Sequence, residues 1–248
     1  MSAERLDCDT HGKAYSTFIR EHLAANPVQR WHCDYPTEDV LWPDAWCSKC
    51  EAEYLKEGEW NETNKSVGSI TSLCHNCYLD AKARSVDYLQ GRELELWESF
   101  VVDCYEKMIQ KQELMNKKFS FGKHETWHVD LKSGELVFSN SGVPAVIANV
   151  ELVGSVSNRS KTWLWSWANF SSRESLCQRI KAVREYGESK GFPCLIIPQW
   201  RAEEIDGWKM SGVAAHVLDA PGVYRAPVAI EQWTGSSFLL ITKIWWEQ

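Results

Sequence analysis

The sequence predicts an α+β fold in which an N-terminal zinc-binding module is joined by a long helix to an antiparallel sheet with helices on one face. Three observations predict it: paired cysteines before residue 80, an apolar repeat of three and four residues from 81 to 118, and strand patterns followed by helical ones thereafter. Strands grouped before helices, without strict alternation, are typical of α+β domains. The predicted domains are a Cys/His zinc-binding module (1–80), an amphipathic linking helix (81–118) and an α+β domain with a Trp-rich strand (119–248).

The zinc prediction rests on two C-x-x-C pairs. Cys47 and Cys50 form the first and Cys74 and Cys77 the second, with 23 residues between the pairs. Four thiolates close a tetrahedron around zinc and leave no position open for a substrate. We therefore predict that these four cysteines bind one structural zinc ion.

A second zinc site is an open alternative in the same segment. The residues of acceptable type are Cys8, His11, His22 and Cys33, although their separations follow no fixed rule. Otherwise His22 and His32 are surface residues. Because residues 1–80 show no long helical or strand period, we expect an irregular module that needs its metal.

The linking helix is predicted because apolar residues recur at steps of three and four along 81–118. Gly91 is a point at which this helix could break. After it, 127–139 reads as two strands around a Lys-Ser-Gly turn, and 146–156 and 162–170 read as a second pair. A capping box at Ser171 to Glu174 then starts a helix that ends at Gly191. The remaining elements are a strand at 194–198, a helix over 202–218 and a final strand over 237–246.

Two further motifs bear on function. His124-Glu125-Thr126-Trp127-His128 matches the H-E-x-x-H motif of zinc proteases, but it runs into an alternating strand, where histidines four apart lie about 13 Å from each other. We therefore interpret it as a chance match. The alternating Trp163, Trp165 and Trp167 line one face of a strand, and core packing is favoured over a ligand-stacking platform.

Composition limits the function classes. The net charge of −7 disfavours nucleic acid unless Arg84, Arg92, Lys107, Lys111, Lys117 and Lys118 form a basic face. No apolar run of about 18 residues and no leader is visible, and nine cysteines without a leader indicate a reducing compartment. We therefore expect a cytoplasmic protein without a membrane partner.

The segment Trp163 to Asn169, with Trp127 and Asp130 before it and Gly222 to Arg225 after it, resembles an uncharacterised bacterial domain family marked by a W-x-W-x-W-A-N strand, over about 120–246. The N-terminal part resembles a small bacterial zinc module of unassigned role. That module has a cysteine two residues before its His-Leu pair, where this chain has Arg20.

The resemblance implies a protein-binding role of the immunity or antitoxin type. The net charge of −7 and the 14 tryptophans suit an inhibitor whose partner is a basic toxin enzyme. The chain shows no nucleophile elbow, phosphate loop or dinucleotide fingerprint, so catalysis has no positive evidence. Two alternatives stay open. One is a hydrolase or transferase with a site near His128, Trp165 or Asn169, and the other is a nucleic-acid sensor.

Overall fold

A computed structural model describes residues 5–34, 36–37, 39–130, 133–169, 177–230 and 233–247. The chain divides into two compact units, Met1–Leu89 and Gln90–Gln248. Both units combine helices with sheet, and the sheet of the second unit is antiparallel throughout its described pairings. The predicted α+β class is confirmed.

The first unit is built around strand β2. Its elements are β1 (Arg5–Cys8), β2 (Gly12–Arg20), α1 (Glu21–Ala25), β3 (Trp31–Cys33), β4 (Ala45–Cys47), α2 (Ser48–Glu57), β5 (Ile70–Cys74) and α3 (His75–Arg84). The strands order as β1-β2-β4-β3, with β5 also paired to β2. Residues 5–84 are therefore more regular than the sequence predicts. The buried positions of β2 include Ala14 and Thr17, which are too small or too polar to signal a strand core.

The second unit is a seven-stranded sheet with helices packed against it. Its elements are α4 (Gly91–Phe119), β6 (Thr126–Asp130), β7 (Glu135–Asn140), β8 (Val143–Ser157), β9 (Thr162–Trp165), α5 (Lys181–Lys190), α6 (Pro193–Ile196), β10 (Gln199–Arg201), α7 (Glu204–Val217), β11 (Gly222–Ile230) and β12 (Trp233–Trp246). The strands order as β10-β9-β8-β12-β11, with β7 paired to β8 and β6 to β7.

Helix α7 packs on β8 and β12, and α4 packs on α7. Small residues permit these close approaches: a Cβ on Gly207 would lie 2.4 Å from the Phe238 ring, and one on Gly212 would lie 3.1 Å from Tyr105 Cα. One end of the core joins Met115 and Phe119 of α4 to buried side chains of β7, β8, β11 and β12. The helices thus cover an apolar sheet face, as expected for this class.

The predicted linking helix differs from the structure. Helix α3 ends at Arg84, a 3₁₀ turn spans Ser85–Tyr88, and α4 starts at Gly91 with a positive φ of 52°. The predicted domain boundary at residue 80 falls inside α3. Since α4 packs on α7 and β11, it belongs to the second unit and is not a linker.

The strand pairs predicted over 127–139 and over 146–156 with 162–170 are found as β6 to β9, although β9 ends at Trp165, and the predicted helix at α7 and last strand at β12 are found as well. The strand predicted at 194–198 is wrong. Pro193 occupies the first turn of the short helix α6, where its missing N–H costs nothing. The predicted capping box at 171–174 lies outside the described residues.

Candidate metal centres

Four metal-binding side chains converge in the first unit. Cys8 and His11 come from the β1–β2 hairpin, and Cys74 and Cys77 come from the junction of β5 and α3. Their ligand atoms all lie within 4.8 Å of one another. We call this set the first cluster.

The spacing inside the first cluster matches tetrahedral zinc. His11 Nδ1 lies 3.7, 3.4 and 3.5 Å from the sulfurs of Cys8, Cys74 and Cys77, and the Cys8 and Cys77 sulfurs are 3.8 Å apart. Zinc bonds of about 2.3 Å to sulfur and about 2.0 Å to nitrogen place tetrahedral ligands about 3.8 Å apart for two sulfurs and about 3.5 Å apart for sulfur and nitrogen. The ligand atoms therefore already stand at coordination distances.

Local structure explains how these ligands are held. Cys74 ends β5 and is the N-cap of α3, and its sulfur accepts a hydrogen bond from Cys77 N–H at 3.3 Å. A helix N-terminus favours a thiolate through its free N–H groups and its dipole. On the other side, β1 and β2 turn tightly at Gly12, whose φ is +67°. This turn brings Cys8 and His11 together.

The thiols of the first cluster differ in acidity. Backbone hydrogen bonds from Thr10 and His11 lower the pKa of Cys8 to about 6. Burial, with the neighbouring Cys74 and Cys8 thiols, raises the pKa of Cys77 to about 12. A metal ion must therefore displace protons from this cluster, so its affinity falls as the pH falls.

A second group consists of His22 of α1, Cys47 at the end of β4 and Cys50 in the first turn of α2. We call it the second cluster. His22 Nδ1 lies 3.2 Å from Cys50 Sγ, and the Cys47 and Cys50 sulfurs are 3.8 Å apart. Burial, followed by the Cys47 thiol, raises the pKa of Cys50 to about 11.

The structure corrects the predicted grouping of Cys47, Cys50, Cys74 and Cys77 around one ion. Cys74 pairs with Ser16 of β2, whereas Ala45 of β4 pairs with Ile19 in parallel. Cys47 therefore lies five residues, or about 17 Å, further along β2 than Cys74. Each C-x-x-C pair joins a different cluster.

The predicted second set of Cys8, His11, His22 and Cys33 is also divided. Cys8 and His11 belong to the first cluster and His22 to the second. Cys33 is in neither cluster, and its sulfur accepts a hydrogen bond from Lys82 Nζ at 3.1 Å. The open reading of His22 as a surface residue is corrected by its contact with Cys50.

Two residues beside the second cluster were not anticipated as functional. Arg20 is buried, donates from Nη1 to the carbonyl oxygens of Gly68 at 2.6 Å and Lys65 at 3.1 Å, and stacks 3.9 Å above the Trp60 ring. Gly68 borders His22 and Cys50. The only sequence signal was Arg20 itself, at a position where the resembling module has a cysteine.

In the second unit two of the candidate catalytic residues, His128 and Trp165, lie far apart. Register places His128 opposite Val137 and then Ile147 of β8, whereas Trp165 lies opposite Gly154. These positions are seven residues, or about 23 Å, apart along β8. Trp165 is fully buried and donates to Cys194 O at 2.8 Å. The alternative of a hydrolase or transferase site there gains no support.

The H-E-x-x-H segment has another role. His128 lies on β6, and His124 contacts Phe119 O at 3.0 Å and Asn140 Nδ2 at 3.3 Å. Glu125 accepts a hydrogen bond from Ser141 N–H at 2.6 Å. The contacts of His124 and Glu125 thus hold the β7–β8 turn against this segment.

The tryptophans predicted to fill a core do so, because Trp163, Trp165 and Trp167 are all buried. The predicted alternation ends early, however. Strand β9 stops at Trp165, and Trp167 lies in a 3₁₀ turn, with the Arg184 guanidinium 5.1 Å from its ring centre.

The predicted basic face is partly neutralised: Lys107 pairs with Asp103 at 2.6 Å and Lys111 with Asp219 at 3.4 Å. This lowers the charge available to a phosphate backbone. Within the part of the chain that the structure describes, no helix has both the length and the apolar composition to cross a membrane.

Comparison with known proteins gives a match in the second unit only. No curated protein and no solved structure gives a significant match. The model of a family of unknown function, DUF6882, matches residues 98–244, so both metal clusters lie outside the matched segment. Since this match covers more than half of the chain, the protein belongs to the DUF6882 family.

Proposed function

We propose that the protein is a zinc-stabilised module that binds a basic protein partner through its first unit. The observation that carries this proposal is the distribution of charge. Residues 1–89 contain 15 Asp and Glu against 9 Lys and Arg, which accounts for −6 of the net −7. A concentrated acidic field speeds encounter with a basic partner and disfavours nucleic acid.

Zinc is the ion that suits the first cluster. Three thiolates and one imidazole are a known donor set for structural zinc, and the measured separations fit its bond lengths. With four protein ligands the site is closed. Its role in the proposal is to hold the β1–β2 hairpin against the start of α3.

An exposed apolar pair supplies a contact surface on this acidic unit. Phe18 is 40% exposed and Ile70 is 61% exposed. Because Phe18 pairs with Ser72 and Arg20 with Ile70, the two apolar side chains are diagonal neighbours on one face of β2 and β5, about 7 Å apart. We call them the Phe18–Ile70 patch. Aromatic and aliphatic anchors surrounded by complementary charge are typical of protein interfaces.

The finer proposal is an immunity or antitoxin role, in which the partner is a toxin enzyme and binding inhibits it. A cytoplasmic location is part of this proposal. It is supported by the nine cysteines of the chain, five of which lie in the two clusters, because cysteines that serve as metal ligands are typical of a reducing compartment.

The test starts with capture of partners by the tagged full chain from its own cells, followed by reconstitution with the purified partner. The double variant Phe18→Ser/Ile70→Ser is expected to weaken binding at least about tenfold, and added salt is expected to slow association. Leu114→Ser is the matched control, because Leu114 is 70% exposed on α4 of the second unit.

A partner that binds both variants equally well would contradict the role of the patch. If no protein is retained at stoichiometric level by the metal-loaded chain, the protein-binding proposal fails. If a bound enzyme keeps its full activity, the inhibitor role fails while the binding module stands.

A further inference from the structure

The second cluster has three protein ligands where the first has four. Cys47 is 2% exposed and Cys50 is 0% exposed, while His22 is partly exposed. Across the described ranges, no fourth Cys, His, Asp or Glu has a ligand atom close enough to join the group. The two sulfurs nevertheless stand 3.8 Å apart, the separation of about 3.8 Å that tetrahedral zinc imposes.

We infer that the second cluster is a separate zinc site with three protein ligands and one exchangeable coordination position. One histidine and two cysteines form a donor set that zinc accepts when its fourth ligand comes from water or a small molecule. Two thiolates and a neutral imidazole neutralise the divalent charge of the ion. The site therefore takes up an added monodentate anion, which the closed first cluster does not.

The open position lies on the side of Gly68, where backbone without a side chain borders His22 and Cys50. A Cβ on Gly68 would lie 3.2 Å from His22 Cε1 and 3.5 Å from Cys50 Sγ. The Gly68 carbonyl is fixed by the 2.6 Å hydrogen bond from the buried Arg20. Because the φ of Gly68 is −165°, alanine is compatible with its backbone, and only the added methyl group would crowd the ligands.

The test uses the full chain loaded with Co²⁺, whose visible absorption reports coordination geometry, and azide as the added ligand. The inference predicts two Co²⁺ per chain, with azide changing the absorption of one of them. Cys47→Ser is expected to abolish the azide response and to retain the ion of the first cluster, whereas Cys33→Ser keeps both ions and the response. A single ion per chain at saturation, or a spectrum unmoved by azide, would overturn the inference.

Gly68→Ala retains all three ligands and tests the same site without removing one. It is expected to keep two Co²⁺ per chain and to weaken azide binding by about threefold or more, because the methyl group crowds the ligand shell. Unchanged azide affinity in this variant would contradict the placement of the open position beside Gly68. Partner capture does not enter either experiment, so the outcome is independent of the protein-binding proposal.

Discussion

Cys8→Ser distinguishes the two possible groupings of the cysteines. Cys8 contributes to the first cluster in the structure, but it is absent from the single four-cysteine site predicted by spacing. The variant, left with three ligands instead of four, is therefore expected to bind zinc more weakly at the first cluster and to destabilise the first unit. A site made of Cys47, Cys50, Cys74 and Cys77 would leave it unaffected.

The size of the effect follows from the loop that the ion closes. Sixty-two residues separate His11 from Cys74. A cross-link over such a loop restricts the unfolded chain by about 4 kcal/mol in the chain-entropy model. Three ligands remain in Cys8→Ser and retain part of the metal affinity, so we expect a loss of about 2–4 kcal/mol in the unfolding free energy of the unit.

Amide hydrogen exchange in peptides covering β2 and β5 measures this free energy without interference from the second unit, and elemental analysis counts the zinc. Cys33→Ser is the matched control, since Cys33 is a partly exposed cysteine of the same unit outside both clusters. Chelator-treated wild type gives the limiting loss. If Cys8→Ser gives up its zinc to a competing chelator no more readily than Cys33→Ser and exchanges its amides at the same rate, the grouping seen in the structure is refuted.

Three predictions concern the second unit. Gly154→Ala should cost about 3 kcal/mol in chemical denaturation, because its Cβ would lie 2.4 Å from Trp163 and 2.6 Å from Leu164 O, whereas Gly122→Ala, with open space around it, should be near neutral. Trp165→Phe should lower the free energy of unfolding by about 1 kcal/mol more than Trp163→Phe, because of these two indoles only that of Trp165 donates a hydrogen bond. Equal losses in the two variants would contradict a stabilising role for this bond. Burial raises the pKa of Cys104 to about 12, so the buried thiol stabilises the fold fully below about pH 9 and loses this effect as the pH rises towards 12. The free energy of unfolding of Cys104→Val should therefore fall less steeply at alkaline pH than that of the wild type. Parallel pH dependences of the two proteins would contradict this prediction.

Local patterns predicted the elements of the second unit well. The turn at 132–134 and the alternation on either side identify β6 and β7 without knowledge of the rest of the chain. Strand β11 was missed, because its centre carries Arg225 and Pro227, which hide an apolar alternation. It forms through nine residue pairs with β12, a tertiary contact that no local signal contains.

The sequence singled out the residues of both clusters as candidate ligands, but it grouped them differently from the structure. A C-x-x-C spacing shows that two sulfurs can share an ion. The first cysteine is the N-cap of a helix and the second lies in its first turn, so the two side chains are close together. It does not show which other residues complete the site. That choice depends on the register of β4 and β5 against β2, which separates Cys47 from Cys74 by about 17 Å.

The ligands of the second cluster lie between those of the first in the sequence. The fold of the first unit is therefore expected to depend on the two clusters to different extents. The segment between His11 and Cys74 contains His22, Cys47 and Cys50, so an ion in the first cluster would close a longer loop than an ion in the second and restrict the unfolded chain more. Opening the second cluster frees mainly the stretch between His22 and Cys47, while the β2–β5 pairing that positions Cys74 persists. We therefore expect the fold of the unit to depend more on the first cluster than on the second. The second, with its incomplete ligand set, is free to exchange a ligand without unfolding the surface that carries the Phe18–Ile70 patch.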